Sequence, residues 1–146
     1  MKKKPVGVQL RSLNNLITRY MERSPVKQQV DRITGTNGWI IGYIAEHPNE
    51  DIYQKNLEQR FGITRSTTSK VLTLMEHKGL IIRQSVPGDA RLKKIVLTQR
   101  AFDVHEMVKE DAERFEKKLT QGFTEDEMSN LFDYLERMKS NMKKPD

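Results

Sequence analysis

The 146-residue sequence contains no cysteine. This absence excludes a disulfide scaffold, a cysteine-based zinc site, a thiol nucleophile and a thiol redox sensor. A chain of this length buries roughly 68–70% of the surface exposed by its unfolded form, so it can fold around a core without cross-links. The lack of cysteine is compatible with a reducing compartment, and we expect a cytoplasmic protein.

Long hydrophobic runs are also absent. The longest strongly apolar stretch, Trp39–Ala45, is much shorter than the ~20 residues that a membrane-spanning helix needs. Three lysines follow the first residue, but residues 5–20 include Gln, Arg, Ser and Asn and form no apolar signal segment. We therefore expect neither a membrane span nor a secretion signal.

Motifs of catalysis and metal binding are lacking as well. The three histidines, His47, His77 and His105, do not have the spacing of metal ligands, and no cluster of acidic residues accompanies them. The sequence contains no glycine-rich phosphate loop and no context typical of a Ser/His/Asp triad. We expect no enzyme activity, no metal and no cofactor.

Acidic residues are scarce in the middle of the chain. Residues 60–100 contain nine Lys or Arg and two acidic residues, whereas residues 1–59 have a net charge of +3 and residues 101–146 a net charge of −4. A clustered positive field is typical of a protein with a polyanionic partner. A solvated basic surface without a partner is the alternative, and charge alone does not decide between them.

Apolar spacing predicts several helices. Near the N-terminus the apolar residues recur at intervals of three and four, at Leu10, Leu13, Ile17 and Tyr20. Ser24-Pro25 ends or restarts this helix, and residues 26–35 can be read either way. Thr34 or Thr36 is predicted to cap a helix over residues 37–46. Its inward residues are predicted to be Trp39, Ile40, Tyr43 and Ile44.

A compact pair of helices follows. The first spans residues 54–61 and ends at Gly62, and the second spans residues 65–78 with Thr64 as its cap. The first half of the second helix is almost wholly hydrophilic. Its apolar residues lie in the second half, at Val71, Leu72, Leu74 and Met75.

The pattern then changes to strands. Residues 80–85 and 93–98 predict two short strands, joined by a turn-rich segment over residues 86–92. Helical spacing returns afterwards, at Val104, Val108, Ala112, Phe115 and Leu119, and again at Met128, Leu131, Leu135, Met138 and Met142. Thr124 and Glu127 are spaced as a capping box that begins the last helix.

This order of elements predicts a winged helix-turn-helix. The polar front of the second helix would meet base edges and phosphates in the major groove, and the cationic hairpin would meet the neighbouring backbone or minor groove. The candidate DNA contacts on the helix are Thr64, Arg65, Ser66, Thr67, Thr68 and Lys70. Those on the hairpin are Arg91, Lys93 and Lys94.

The same residues resemble the DNA-binding core of MarR-family regulators. The resemblance lies in residues 57–70, in residues 76–81 and in Asp89-Ala90-Arg91, which matches the Asp-x-Arg signature of that family's wing. It implies a homodimer whose first and last helices interlock. It also implies that Arg91 enters the minor groove, that Asp89 holds the wing by pairing with an arginine, and that a ligand relieves repression.

We therefore expect a mainly α fold with a small β-hairpin wing (α+β). A winged helix-turn-helix over residues 34–98 would be flanked by helical dimerisation regions over residues 1–33 and 99–146. The expected function is that of a homodimeric regulator, a repressor, on a pseudo-palindromic site in double-stranded DNA. A winged-helix module that binds proteins and a non-specific architectural DNA binder are the alternatives.

An effector pocket is a further hypothesis. Tyr20, Trp39 and Tyr43 could line a cavity for a small aromatic or apolar effector between the winged domain and the dimerisation helices. Aromatic residues at helical spacing are more often part of a core, which is the competing interpretation. The composition does not decide between the two.

Overall fold

The computed structural model describes residues 2–146 and gives a mainly helical protein with one antiparallel hairpin. In chain order the elements are α1 (Val6–Glu22), α2 (Pro25–Thr34), α3 (Gly38–Ala45), α4 (Gln54–Phe61), α5 (Arg65–His77), β1 (Ile81–Val86), β2 (Asp89–Leu97), α6 (Gln99–Leu119) and α7 (Glu125–Lys143). They form two compact units, one ending at Lys109 and one spanning Glu110–Asp146. No helix within residues 2–146 has the length and apolar character needed to cross a bilayer. The expected winged helix-turn-helix architecture is confirmed.

The ambiguous residues 26–35 form helix α2. The Ser24 side chain accepts a hydrogen bond from the backbone N–H of Lys27, and Pro25 occupies the first turn, where its missing N–H costs nothing. Gly35 ends the helix in the left-handed conformation (φ +60°), which a residue without a Cβ adopts readily.

The predicted cap of α3 is wrong. Thr34 lies inside α2, where it is fully buried and its hydroxyl donates to the carbonyl of Val30 at 2.9 Å. Thr36 has a φ of +69°, in the left-handed region, and its hydroxyl donates to the carbonyl of Gly35. Asn37 instead precedes α3, without a side-chain capping bond. Both threonine hydroxyls therefore bond to carbonyls that precede them in the chain, and neither caps α3.

The hydrophobic core lies under the helix-turn-helix. Its buried residues are Val30, Ile40, Ile41, Ile52, Leu57, Leu72, Met75, Leu80, Ile81, Ile95, Leu97, Ala101 and Val104. Ile41 was not among the predicted inward residues but is 1% exposed, whereas Leu74, an apolar residue in the second half of α5, is 41% exposed. Because α2 and α6 contribute to this core, the boundary predicted at residues 34 and 98 does not follow its edge, and that domain division stays a prediction.

The helix pair has the bounds that its caps predict. Gly62 ends α4 at a φ of +63°, and Thr64 caps α5 by accepting a hydrogen bond from the backbone N–H of Thr67 at 3.2 Å. Leu57 of α4 and Leu72 and Met75 of α5 are each 0% exposed. The rear of α5 is thus anchored in the core, and its front extends from it.

The hairpin is longer than predicted. β2 begins at Asp89, so the turn consists of Pro87 and Gly88 alone, with Gly88 at a φ of +85°. A bulge lies between Ser85 and Val86, and Val86 pairs with Asp89 to close the turn. This pairing extends the second strand by four residues, and it places Arg91 within the strand rather than in a loop.

The base of the hairpin is tied to the segment before α4. The backbone N–H of Ile95 donates to the carbonyl of Ile52 at 2.8 Å, and Tyr53 forms an isolated bridge with Lys94. Ile81 and Leu97 pair with each other and are nearly buried. The two strands therefore extend from a fixed base.

The second unit contains the last helix with its predicted cap. Thr124 and Glu127 form the capping box: each accepts a hydrogen bond from the other's backbone N–H, at 3.2 and 3.0 Å. The hydrogen bond from the Thr124 backbone, followed by the interaction with the Thr124 side chain, favours the charged carboxylate and lowers the pKa of the Glu127 carboxyl. None of the residues of α7, all of which are described, is buried.

Candidate nucleic-acid interface

The N-terminal half of α5 presents a polar, cationic surface. Arg65, Ser66, Thr67 and Lys70 are all exposed. The Thr64 hydroxyl donates to the hydroxyl of Thr67 at 3.0 Å while accepting from the backbone N–H of the same residue. These two bonds fix the first turn, whose free backbone N–H groups and positive dipole end favour an anion.

Thr68 departs from this group. It is 0% exposed, and its hydroxyl donates to the carbonyl of Thr64 at 2.8 Å. A side chain in this position cannot meet a base or a phosphate. The prediction of Thr68 as a DNA contact is therefore wrong, because its place one turn after the cap faces the core.

The hairpin presents a second set of cations. Arg91 and Lys93 are exposed, and Lys93 Nζ donates to the hydroxyl of Ser85 across the hairpin at 2.9 Å. The carboxylate of Asp89 accepts a hydrogen bond from the backbone N–H of Arg91 at 3.0 Å. The family resemblance implies that Asp89 pairs with an arginine side chain, but within residues 2–146 no such ion pair occurs. Asp89 instead bonds to the backbone of Arg91.

Lys94 is less available than its neighbour. Its Nζ lies 2.7 Å from the carboxylate of Asp51, in the segment before α4. The hydrogen bond to Asp51, reinforced by the opposite charge, raises the pKa of the Lys94 ammonium. Lys94 must leave this pair to hold a phosphate with its full charge.

A cleft of about 390 Å³ brings the two sets together. It is lined by Tyr53, Gln54, Lys55, Glu58, Arg65, Leu72, Arg83, Arg91, Leu92, Lys93 and Ile95. The front of α5 and the outer part of β2 thus share one concave wall, with Arg65 and Arg91 both on it. Five of the lining side chains are cationic and one is acidic, which gives the cleft a positive potential.

Sequence reasoning missed two cations of this cleft. Lys55 lies in the first turn of α4, and Arg83 lies on β1. Both fall outside the two segments in which DNA contacts were sought. The two-residue period of a strand offered a signal for Arg83, because it places Arg83 on the same face as Ile81. In the structure Ile81 is buried and Arg83 is half-buried.

The aromatic residues predicted for an effector pocket have separate surroundings. Trp39 and Tyr43 contact the ring of Phe61, at centroid distances of 4.4 and 5.4 Å, and both pack against the core. Tyr43 also contacts the ring of His47 at 4.4 Å. Tyr20 lies on α1 and is 39% exposed. The pocket formed by these residues stays a prediction.

No metal-binding arrangement occurs in the part of the chain that the structure describes. Within residues 2–146, histidine, aspartate and glutamate side chains form no group of three or more that could hold an ion.

Known proteins share this architecture. A sequence model of the MarR family matches residues 33–92. The uncharacterized HTH-type transcriptional regulator YdgJ of Bacillus subtilis (strain 168) is 29% identical over 93 residues, which cover 64% of this chain and 57% of YdgJ. The match thus spans little more than half the length of that relative.

Solved structures match over most of the chain. The S. aureus MepR–DNA complex contains a protein chain with 25% identity and a TM-score of 0.72, and the match covers 91% of this chain and 99% of that one. The heme sensor protein PefR from Streptococcus agalactiae, in complex with heme, has 22% identity and a TM-score of 0.65, with coverage of 96% and 95%. Both have the fold described above.

Proposed function

We propose that this chain is a MarR-family protein and a sequence-specific, double-stranded DNA-binding transcriptional regulator that acts as a homodimeric repressor. In this proposal the front of α5 reads the major groove and the hairpin contacts the adjacent minor groove. The solved complex of MepR with DNA supports a duplex as the partner.

One observation carries the proposal. Arg65, at the start of α5, and Arg91, on β2, line the same cleft and are both exposed. A guanidinium on the helix suits bidentate recognition of guanine, and one on a narrow hairpin suits the negative potential of a narrow minor groove. A single duplex can therefore engage both side chains from one side.

The charge distribution supports the same partner. Residues 60–100 have a net charge of +7, although the whole chain has a net charge of +6. Cations concentrated on one segment release condensed counterions from DNA on binding, which makes the affinity depend steeply on salt. Residues 101–146 have a net charge of −4, so the positive charge that favours DNA lies in the middle of the chain and not in its C-terminal segment.

Exposed apolar side chains support the homodimer. No residue of α1 is buried, and Val6, Leu13 and Leu16 are 43–58% exposed. In the second unit, Phe132 and Met142 of α7 are 57% and 85% exposed. Apolar surface of this extent is covered in stable proteins, and a second copy of the chain offers matching helices. Two recognition helices would then address half-sites about one helical turn apart.

Repression relieved by a small ligand is the regulatory mode that the family resemblance implies. The similar protein PefR is described as a heme sensor, which supports ligand sensing within this fold. The candidate effector residues here are Tyr20, Trp39 and Tyr43, and the effector class is small and aromatic or apolar.

Selection of bound duplexes from a random pool tests the proposal. The expected product is a two-fold symmetric motif that is bound well above a scrambled duplex of the same composition, with an affinity that falls steeply with salt. A steep salt dependence without sequence preference would indicate an architectural binder. Weak binding that does not change with salt would indicate a protein-interaction module, and either result contradicts the proposal.

A further inference from the structure

We propose that Arg83 is a positioning residue that holds the hairpin at the angle at which Arg91 reaches the minor groove while α5 lies in the major groove. The inference rests on the proposed function and extends it to a residue that need not touch DNA.

Arg83 bridges the hairpin and the recognition helix. It lies on β1, and its Nη2 donates a hydrogen bond of 2.8 Å to the hydroxyl of Thr73 on α5. Its Nε lies 3.6 Å from the carboxylate of Glu76, one turn further along the same helix. One side chain thus contacts two successive turns of α5 through two nitrogens that the planar guanidinium holds in a fixed geometry.

The bond continues into the polar half of the helix. The Thr73 hydroxyl donates its own proton to the carbonyl of Ser69 at 2.9 Å, so it faces Arg83 as an acceptor. The chain of bonds therefore runs from β1 through Thr73 to the backbone of Ser69. This residue belongs to the same segment as Ser66 and Thr67.

The place of Arg83 along the hairpin explains what it can control. It pairs with Ile95, near the buried base formed by Ile81 and Leu97. Beyond Arg83, within the described residues, no hydrogen bond or ion pair joins the hairpin to α5. The outer hairpin is a two-stranded ribbon, which is only marginally rigid by itself. The contacts of Arg83 are accordingly the outermost ones between the hairpin and α5, and they can set the direction of Arg91 relative to the helix.

The guanidinium is held there at a cost. Its Nε is buried and has no hydrogen-bond partner among the described residues, because the carboxylate of Glu76 lies beyond hydrogen-bond distance. A buried donor without a partner is destabilising, and a side chain chosen for stability alone would avoid it. Such exceptions are frequent where geometry serves function.

Two variants test the inference. Thr73→Val removes the acceptor and leaves the charge of Arg83 in place, whereas Arg83→Gln removes the guanidinium. The control is Thr120→Val, because Thr120 makes the same type of bond to a carbonyl four residues earlier, at 2.8 Å, without an arginine partner. Each variant is titrated against the duplex that the wild-type protein selects from a random pool, and its thermal unfolding is recorded.

The expected result is that Thr73→Val and Arg83→Gln each weaken binding about three- to tenfold and that their combination is no weaker than Arg83→Gln alone. Hydroxyl-radical protection of the minor groove should be lost, while protection of guanine N7 in the major groove persists. Adding Arg91→Ala should reduce affinity by a smaller factor in Thr73→Val than in the wild type. Thr120→Val should bind as the wild type does.

The inference is overturned if Thr73→Val shows wild-type affinity and protection, or if Arg91→Ala reduces affinity by the same factor in both backgrounds. The wild-type protein separates this failure from that of the proposed function. When it selects a motif and Thr73→Val is indistinguishable from it, only the role of Arg83 falls. When the wild-type protein selects no motif, both proposals fall.

Discussion

Asp51 and Lys94 form an ion pair at 2.7 Å that joins the segment before α4 to β2. The pair stands beside the cationic cleft and occupies a lysine that could otherwise contact a phosphate. Exposed pairs of this kind contribute little to stability, so their effect on ligand binding is easier to isolate.

Asp51→Asn should therefore strengthen DNA binding. The substitution frees Lys94 and removes its negatively charged partner, and one additional phosphate contact would make the salt slope of binding steeper by about 0.9. Fluorescence anisotropy over a range of salt concentrations measures this slope. Glu50→Gln is the matched control, because it removes the same charge from the neighbouring position without freeing Lys94. Equal slopes for the two variants would contradict the role of the pair.

Thr36→Gly should stabilise the fold. Thr36 is the one residue other than glycine with a positive φ among the described residues, at +69°, and a β-branched side chain is strained there. Relief of this strain should raise the free energy of unfolding by about 1 kcal/mol. Gly35→Ala is the matched comparison. Gly35 has a φ of +60°, so this substitution should lower the free energy of unfolding by about 1 kcal/mol. Urea unfolding measures both changes. A free energy of unfolding that changes in the same direction in both variants would be evidence against strain at Thr36.

Stability should fall at low pH through Glu127. Its bonds to Thr124 lower the pKa of the carboxyl in the folded protein relative to the ordinary 4.5. The folded state therefore favours the charged carboxylate, and the stabilisation is complete above the unfolded pKa and disappears as the pH falls through the folded pKa. The difference in melting temperature between wild type and Glu127→Gln should accordingly be largest near neutral pH and vanish in acid. A difference that stays constant with pH would exclude this cause.

Leu13→Glu should convert the proposed dimer into monomers. Leu13 is 43% exposed on α1, and a carboxylate in a buried helix interface is strongly disfavoured. Sedimentation equilibrium gives the mass of the 17.1 kDa chain and of its dimer. Leu74→Glu is the control, with a leucine that is 41% exposed on α5, and it should remain dimeric. Monomeric wild-type protein, or loss of the dimer in both variants, would contradict the assigned interface.

Local signals predicted much of the fold. Gly62 indicated the end of α4, Thr64 the start of α5, and Thr124 with Glu127 the start of α7, because each signal acts within four residues. The linker after Gly35 was missed because Thr36 adopts a backbone conformation that threonine ordinarily avoids. The length of β2 was missed because cross-strand pairing of Val86 with Asp89 confines the turn to Pro87 and Gly88. Residues 89–92, which the sequence pattern assigned to the turn, therefore belong to the strand.

The interface was predicted less completely than the fold. Arg65, Ser66 and Thr67 lie where their place at a helix start predicts, but whether Thr68 faces in or out depends on how α5 packs on the core. Lys94 and Arg83 owe their roles to partners that are distant in sequence, and no local pattern contains these partners.

The most direct test of DNA reading by the helix and wing together is a salt titration of wild type and Arg91→Ala on the selected duplex, with Lys143→Ala as the control. Lys143 is an exposed cation at the end of α7. Arg91→Ala should bind more weakly and with a salt slope shallower by about 0.9, while Lys143→Ala follows the wild type. Superimposable curves for wild type and Arg91→Ala would contradict a wing that contacts DNA.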